Sequence, residues 1–217
     1  MPFAELHYFS NCLAKQTACN VILPEIEAGR RYPVMYLLHG LSDDYTIWCR
    51  RTSIERYAEG LALIIVMPDG GRSLYSNTLT GQRYEDALAI ELPEMIDRIF
   101  PTLTSREGRC LTGLSMGGYG ALKFAMKYPD RFGSCVSHSG AMNFGNEPNL
   151  GGTEREAEFR MLVGETPAGG PNDLFAIAEQ IDRNKLPAIR IDCGTEDFLL
   201  NHNRRMAKHL NKSGHFA

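Results

Sequence analysis

The arrangement of apolar and polar positions differs between the start of the chain and the rest of it. Near the N-terminus, residues 6–13 and 17–23 are strand-like and are joined by a short polar link, which predicts an antiparallel pair of strands. From Pro33 onward, short continuous apolar runs alternate with stretches in which apolar residues recur at helical spacing. Strands that alternate with helices form a parallel sheet covered by helices. The pattern therefore predicts an α/β fold with a mostly parallel sheet.

The lengths of these runs predict the individual elements. Continuous apolar runs predict strands buried on both faces at residues 34–38, 61–67, 109–112, 133–138 and 188–193. Helical spacing predicts helices at residues 52–60, 84–100, 116–128 and 200–213. Pro93 lies inside the second of these helices and is expected to kink it.

One segment interrupts the alternation of strands and helices. Residues 144–171 are rich in glycine, proline and charge, which predicts an insertion over the edge of the sheet. A lid over a pocket and an inert surface excursion are both compatible with such a long loop. The composition shows no break elsewhere, so residues 1–217 are expected to form one domain.

Charge and hydropathy exclude several classes of protein. The 23 Lys and Arg residues nearly balance the 26 Asp and Glu residues, and neither sign forms a long run, so neither nucleic acid nor an anionic membrane is an expected partner. The longest apolar run, residues 61–67, is too short to cross a bilayer. The N-terminus does not resemble a secretory signal, so a cytoplasmic location is expected.

The six cysteines indicate neither a zinc site nor a dense disulfide framework. They are spread through the chain without a C-x-x-C pair, and the histidines are not clustered. Most of the thiols are expected to be reduced. Cys110, Cys135 and Cys193 lie in apolar runs, where each is expected to be a small buried side chain.

The most informative stretch of the sequence is GLSMG, residues 113–117, which has the form G-x-S-x-G. It follows a predicted strand and opens a predicted helix, the setting in which a sharp turn presents a serine above the end of a sheet. Gly113 and Gly117 leave room for such a turn. Backbone N–H groups and the dipole of the helix would favour a developing oxyanion next to Ser115. Ser115 is therefore a candidate nucleophile, and the simpler alternative is a helix cap.

Two further stretches would complete such a site. The run YLLHGL, residues 36–41, ends an earlier strand in His-Gly, where a fold of this kind supplies a second oxyanion N–H group. We therefore assign the oxyanion hole to the backbone N–H groups of Leu41 and Met116. Asp197 lies in an acidic turn after a late strand and is the expected acid, because the acid follows the serine along the chain. A solvated turn is the alternative for Asp197.

Four stretches make the sequence similar to a known family. They are YPVMYLLHGLSDDYTIWCRRT, IIVMPDGGRSLYSNT, TGLSMGGYGALKFAMKYPDRF and CGTEDFL. Together they resemble the putative-esterase family of α/β-hydrolases, which includes tributyrin esterases, esterase D or S-formylglutathione hydrolases, and feruloyl esterases. The resemblance covers nearly the whole chain and is closest to small bacterial tributyrin-type esterases.

The resemblance implies a fold, an activity and several site residues. It implies an α/β-hydrolase fold and hydrolysis of short-chain acyl esters without a metal or organic cofactor. By the same resemblance, Ser115 is the nucleophile and Asp197 the acid. Trp48 and Tyr75 match family segments near the mouth of the active site, which makes them candidate pocket residues.

The catalytic histidine does not follow from this resemblance. In the family it lies after the final strand, which should begin near His215, whereas the sequence stops at Ala217. His202 and His209 lie seven residues apart on one predicted helix, where a surface role is expected. His215 is the remaining candidate. We therefore expect a C-terminal strand, its helix and the base to be missing from these 217 residues.

The sequence thus predicts a serine carboxylesterase that acts through an acyl-enzyme on a small acyl ester. Hydrolysis of S-formylglutathione is one alternative, since it would use the same triad with a pocket for a charged tripeptide. A non-catalytic binding protein with a hydrolase fold is the other, and the missing histidine favours it. The sequence leaves the oligomeric state open.

Overall fold

The structure is a computed structural model that describes residues 1–147 and 154–212. Its strands are β1 (Phe3–Ser10), β2 (Lys15–Ile22), β3 (Val34–Leu38), β4 (Ile64–Pro68), β5 (Arg109–Leu114), β6 (Ser134–His138) and β7 (Ala188–Asp192). They form one sheet in the order β1-β2-β4-β3-β5-β6-β7. β2 pairs antiparallel with both β1 and β4, and the other pairs are parallel. The predicted α/β fold with an antiparallel N-terminal pair is confirmed.

The helices follow the predicted alternation, with additions. They are α1 (Ile47–Arg51), α2 (Ile54–Ala58), α3 (Tyr84–Asp86), α4 (Leu92–Ile99), α5 (Met116–Lys127), α6 (Glu154–Val163), α7 (Leu174–Gln180) and α8 (Leu200–Lys212). A π-helical turn, Ala87–Glu91, joins α3 to α4, where the sequence predicts one kinked helix. Pro93 lies in the first turn of α4, directly after this π-helical turn.

Apolar side chains form cores of different size on the two faces of the sheet. Tyr36 contributes to the larger core together with residues of the helices from α3 to α8. Leu37, the next residue of β3, contributes to a smaller core with Ile65, Met67 and Ala58 of α2. Successive side chains of a strand point to opposite faces, so the central strands are buried on both sides.

β7 differs from the strand that the sequence predicts. Its apolar run predicts burial on both faces, but Ala188 is exposed and the side chain of Arg190 is 74% exposed. Ile189 and Ile191 point to the opposite face and pack against the larger core. α8 packs on β7 from the side of Ile191. Within the described part of the chain, β7 is therefore covered on one face and open to solvent on the other.

Residues 144–171, predicted as an insertion, include a helix that is anchored to the larger core. The high glycine, proline and charge content predicts a loop, whereas residues 154–163 form α6, and residues 148–153 lie outside the described residues. Phe159 on α6 is fully buried and contacts Phe144, with ring centroids 4.8 Å apart. Arg72 Nε donates to Glu158 Oε1 at 2.7 Å. An inert surface excursion is therefore a poor description of this segment.

A buried group of charges joins α5 to α3. Lys123 on α5 is fully buried, and its Nζ lies 3.0 Å from Glu85 Oε2. The same Nζ donates to Ser76 Oγ at 2.8 Å and to Asn172 Oδ1 at 3.1 Å. Lys127, one turn later, also contacts Glu85. These bonds tie α5, α3 and the segment before α7 into one unit.

Within residues 1–147 and 154–212, no helix has the length and apolarity that a membrane crossing requires. All six cysteines are free. Cys135 is buried as expected, whereas Cys110 and Cys193 are half-buried.

Candidate active site

Ser115 alone forms the sharp turn between β5 and α5. Its φ is +57°, a left-handed conformation that costs energy for any residue with a Cβ atom. Its N–H group donates to the His138 carbonyl at 2.9 Å. Its carbonyl accepts from the N–H groups of Tyr119 at 3.0 Å and Ala141 at 3.1 Å. These backbone bonds hold Ser115 in a conformation that it would not adopt alone.

The two glycines of the motif allow this turn to pack closely. A Cβ atom at Gly113 would lie 2.5 Å from the Gly117 backbone, and a Cβ atom at Gly117 would lie 2.3 Å from the Leu38 carbonyl oxygen. Neither distance is possible without a backbone shift. The geometry therefore supplies the steric reason for glycine at both positions.

The two residues predicted to donate to the oxyanion follow neighbouring strands of the sheet. β3 and β5 are neighbours, with Leu38 paired to Gly113, so the turns that follow these strands meet at one edge of the sheet. Leu41 lies on the turn after β3 and lines the same cleft as Ser115. Met116 is the first residue of α5, and the first N–H groups of a helix have no acceptor within it.

A cleft of about 410 Å³ opens beside Ser115. Its apolar walls are formed by Leu41, Leu114, Ala141, Phe144, Phe198 and Leu199. Its polar side chains, apart from Ser115, are Ser42, Asp43, Asn143, Glu147 and His202. Phe198 is 88% exposed, so the mouth of the cleft offers uncovered apolar surface to a ligand.

Asp197 lies in the turn between β7 and α8. Its Oδ1 accepts from the Leu199 N–H group at 2.8 Å. This bond, together with a hydrogen bond from the Ser139 hydroxyl, lowers the pKa of Asp197. The carboxyl group is therefore charged at neutral pH. Phe198 and Leu199 line the cleft, which places the Asp197 turn at its wall.

The histidines are arranged differently from the expectation. Among residues 1–147 and 154–212, none is hydrogen-bonded to Asp197. His202, for which a surface role is predicted, instead lines the cleft, and its Nδ1 is buried without a hydrogen-bond partner. His209 Nε2 lies 3.2 Å from the Phe175 carbonyl oxygen. His215 lies outside the described residues.

A second histidine and carboxylate pair lies at the ends of β6 and β7. His138 Nδ1 and Asp192 Oδ1 are 2.7 Å apart, and both side chains are half-exposed. Asp192 is shared with Arg190, whose Nε lies 3.3 Å from Asp192 Oδ2. This pair lies on the open face of β7, and neither partner lines the cleft.

The structure does not place the two pocket candidates in the cleft. Trp48 lies on α1 and packs against the smaller core. Tyr75 is fully buried, and its hydroxyl donates to the His39 carbonyl oxygen at 2.9 Å.

Several site residues carry no signal in the sequence. Asn143 directly precedes the predicted insertion, Phe144 and Glu147 lie at its start, and all three line the cleft. Asn203 on α8 fastens the loop after β6, since its Nδ2 donates to the Gly140 carbonyl at 2.9 Å and its Oδ1 accepts from the Gly140 N–H group at 3.2 Å. These contacts arise only when distant segments fold together.

Comparisons with known proteins agree with this geometry. A protein-family model described as "Putative esterase" matches residues 10–213. An acetyl esterase of Caldicellulosiruptor saccharolyticus is 26% identical over an alignment of 233 residues, which covers 99% of this chain and 88% of that protein.

Two solved structures from Staphylococcus aureus have the same fold. The fluorophosphonate-binding serine hydrolase FphF has a TM-score of 0.88 and 30% identity, over 99% of this chain and 88% of that one. The S-formylglutathione hydrolase FrmB has a TM-score of 0.87 and 30% identity over the same shares. The chain therefore belongs to the putative-esterase family and has the α/β-hydrolase fold of these two hydrolases.

Proposed function

We propose that this chain is a serine carboxylesterase that hydrolyses short-chain acyl esters through a covalent acyl-enzyme. The observation that carries the proposal is Ser115, held at φ +57° on the strand-to-helix turn and lining an apolar cleft. Strained residues of this kind persist where the surrounding structure enforces them, and they cluster at active sites. Membership of the family supports the same reading.

In the first half of the reaction, Ser115 Oγ attacks the carbonyl carbon of the ester. Its proton passes to the imidazole of the triad histidine, which is not among the described residues and which Asp197 would orient. The carbonyl oxygen becomes negatively charged. The N–H groups of Leu41 and Met116 stabilise it. The imidazolium then gives its proton to the departing alcohol, and the acyl group remains on Ser115.

In the second half, water replaces the alcohol. The imidazole takes a proton from the water as the oxygen attacks the acyl carbon, and the same two N–H groups hold the second oxyanion. Collapse of this intermediate returns the proton to Ser115 Oγ and releases the acid. In this proposal Ser115 is the nucleophile, the N–H groups of Leu41 and Met116 are the oxyanion donors, and Asp197 is the acid in both halves.

The charges of the cleft favour a neutral ester over an anionic substrate. Asp43 and Glu147 lie in its wall, and among the described residues that line it there is no lysine or arginine. Glu147 is paired with Arg205, whose Nη1 lies 2.9 Å from Glu147 Oε2. Because Arg205 balances the charge of Glu147, Asp43 is the acid of the cleft wall that a ligand with its own carboxylates would meet, and no lysine or arginine among the described lining residues compensates it.

Hydrolysis of S-formylglutathione is the second candidate, because the similar Staphylococcus aureus FrmB is described as such a hydrolase. We expect kcat/KM for p-nitrophenyl butyrate to exceed that for S-formylglutathione by at least about tenfold, which corresponds to 1.4 kcal/mol of differential binding. Both substrates would be measured with one preparation. A preference for the glutathione thioester would transfer the proposal to the second candidate.

His202 is expected to form a wall of the cleft and not to be the base. A triad base needs an acid on one ring nitrogen, whereas His202 Nδ1 has no hydrogen-bond partner and Asp197 bonds to Leu199. Burial and the nearby Arg205 lower the pKa of His202, so it is neutral at pH 7.

We therefore expect His202→Gln to retain kcat within about tenfold, since losing a general base costs about 10²- to 10⁴-fold. Initial rates with p-nitrophenyl butyrate, measured from pH 5 to 9, provide the test. A loss of more than a thousandfold would instead assign proton transfer to His202.

A further inference from the structure

The turn after β3, formed by His39, Gly40 and Leu41 and here termed the oxyanion turn, is held by side chains outside the cleft. His39 is fully buried, although its ring is polar on two sides. Its Nδ1 lies 2.7 Å from the Gly40 carbonyl oxygen, and its Nε2 accepts from the Gly70 N–H group at 2.8 Å. Both ring nitrogens are therefore used by the backbone.

These two contacts fix which nitrogen of His39 carries the proton. The Gly70 N–H group is a donor, so Nε2 must be an acceptor without a proton. Asp69 Oδ1 lies 3.6 Å from the same Nε2, which is too long for a hydrogen bond. The proton of the neutral ring is therefore on Nδ1, and Nδ1–H donates to the Gly40 carbonyl.

The orientation of the Gly40 carbonyl determines the orientation of the Leu41 N–H group. The two belong to one planar trans peptide, in which C=O and N–H point in opposite directions. The Gly40 oxygen accepts from His39 and also from the Asp43 N–H group at 3.3 Å. A rotation of this peptide would break both bonds and turn the Leu41 N–H group away from the cleft.

Tyr75 supports the oxyanion turn through a hydrogen bond and through the packing of its ring. Its hydroxyl donates to the His39 carbonyl at 2.9 Å. This carbonyl belongs to the His39–Gly40 peptide, which directly precedes the Gly40–Leu41 peptide that the His39 ring orients. Its ring lies against Gly70 and Gly120, where a Cβ atom would come within 2.5 Å and 2.6 Å of ring carbons. Leu74 and Tyr75 have φ of +53° and +50°, so two successive residues adopt a costly conformation to place this ring.

We propose that His39 and Tyr75 are positioning residues for the oxyanion hole: His39 Nδ1–H sets the Gly40–Leu41 peptide so that the Leu41 N–H group meets the oxyanion, and Tyr75 holds the preceding carbonyl. This inference rests on the proposed function, because the Leu41 N–H group meets an oxyanion only if the protein carries out acyl transfer. Neither side chain touches the substrate.

Two substitutions of His39 separate its two contacts. Asparagine carries an amide near the place of Nδ1, so His39→Asn can still donate to Gly40 but loses the acceptor for Gly70. Glutamine carries an amide near the place of Nε2, so His39→Gln can still accept from Gly70 but loses the donor to Gly40. Each variant lacks one hydrogen bond, which makes the two a matched pair for folding.

We expect kcat of His39→Gln to be about 10- to 100-fold lower than that of His39→Asn, with KM values within about twofold. Loss of one oxyanion donor costs about 10²- to 10³-fold in kcat, and a misdirected donor costs part of this. Rates with p-nitrophenyl butyrate would be compared with melting temperatures by circular dichroism. Equal kcat values for the two variants would overturn the inference.

A spectroscopic measurement tests the same point without turnover. The ¹³C shift of the Gly40 carbonyl and the ¹⁵N–¹H shift of the Leu41 amide report the orientation of their peptide. We expect both signals to move in His39→Gln and to stay near their original positions in His39→Asn. Unmoved signals in His39→Gln would overturn the inference even if the enzyme were inactive, whereas moved signals in an inactive protein would contradict only the proposed function.

Tyr75→Phe isolates the second support. The substitution removes the hydroxyl that donates to His39 and keeps the ring between Gly70 and Gly120. We expect kcat to fall by about three- to tenfold with KM unchanged, since the peptide loses one of its supports. A rise in KM at constant kcat would mean that Tyr75 affects substrate binding and would contradict a positioning role.

Discussion

Replacing Ser115 with alanine, in a protein that carries the triad histidine, is expected to lower kcat for p-nitrophenyl butyrate by at least about 10⁴-fold. Without Oγ no acyl-enzyme can form, and only the oxyanion donors and the cleft remain to assist water. Alanine keeps the Cβ atom, so the backbone at φ +57° carries the same strain and the turn should not change. The melting temperature of the variant should therefore match that of the unaltered protein.

Ser53→Ala is a matched control for this measurement. Ser53 precedes α2, is exposed, and makes no capping hydrogen bond with its side chain. We expect its kcat and melting temperature to be unchanged. A Ser115→Ala variant that kept more than a tenth of the activity, with Ser53→Ala behaving normally, would show that the hydrolysis does not pass through Ser115.

The largest effect on stability is expected from Glu85→Ala, with a loss of about 3–5 kcal/mol in the free energy of unfolding. Glu85 is 4% exposed and is the acid that faces the fully buried Lys123. Its removal would leave the ammonium group with neutral partners, the oxygens of Ser76 and Asn172 and the rings of Tyr119 and Phe124. Lys127 is partly exposed and can turn to water, so the cost arises mainly at Lys123.

Urea unfolding would measure this loss, and two variants would test its cause. Glu85→Leu combined with Lys123→Met removes both charges, so it should recover most of the stability. Glu94→Ala breaks the exposed pair with Arg131 and should cost less than about 1 kcal/mol. A double variant as unstable as Glu85→Ala would mean that lost packing, and not an unpaired charge, causes the effect.

The same carboxyl group should affect acid stability. Burial alone would raise the pKa of Glu85, but the charges of Lys123 and Lys127 and hydrogen bonds from Lys127 and Tyr128 outweigh it and lower the pKa below 4.5. A depressed folded-state pKa stabilises the protein above the unfolded value, and this contribution is lost as the pH falls below about 4.5. Glu85→Gln should lack that part of the pH dependence.

Most of the fold could be predicted from the sequence because its strands are short and apolar and its helices periodic. The antiparallel start and the parallel strands of the centre are confirmed. β7 differs from the prediction, because its apolar run predicts burial on both faces, whereas Arg190 is exposed on one of them. Helix α6 was missed because glycine and charge dominate its surroundings, and the burial of Phe159 that stabilises it arises only in the tertiary structure.

Some residues of the candidate site could likewise be predicted from the sequence, and others could not. Ser115, Leu41 and Met116 could be named from local motifs, since the chemistry of the turn depends on residues that are adjacent in the chain. Tyr75 could be singled out, but not its role, because its contact with His39 joins segments 36 residues apart. The cleft wall formed by Glu147 and His202 depends on the packing of α8 and leaves no local signal.

Reaction with a fluorophosphonate probe, followed by mass spectrometry of the digested protein, tests the central claim most directly. Such a probe modifies a serine only when that serine is an activated nucleophile. The account predicts one phosphonylated peptide, which contains Ser115, and no labelling of Ser115→Ala. Absence of labelling in a folded protein that carries the triad histidine, or a label on another residue, would contradict Ser115 as the nucleophile and would favour a binding protein with a hydrolase fold.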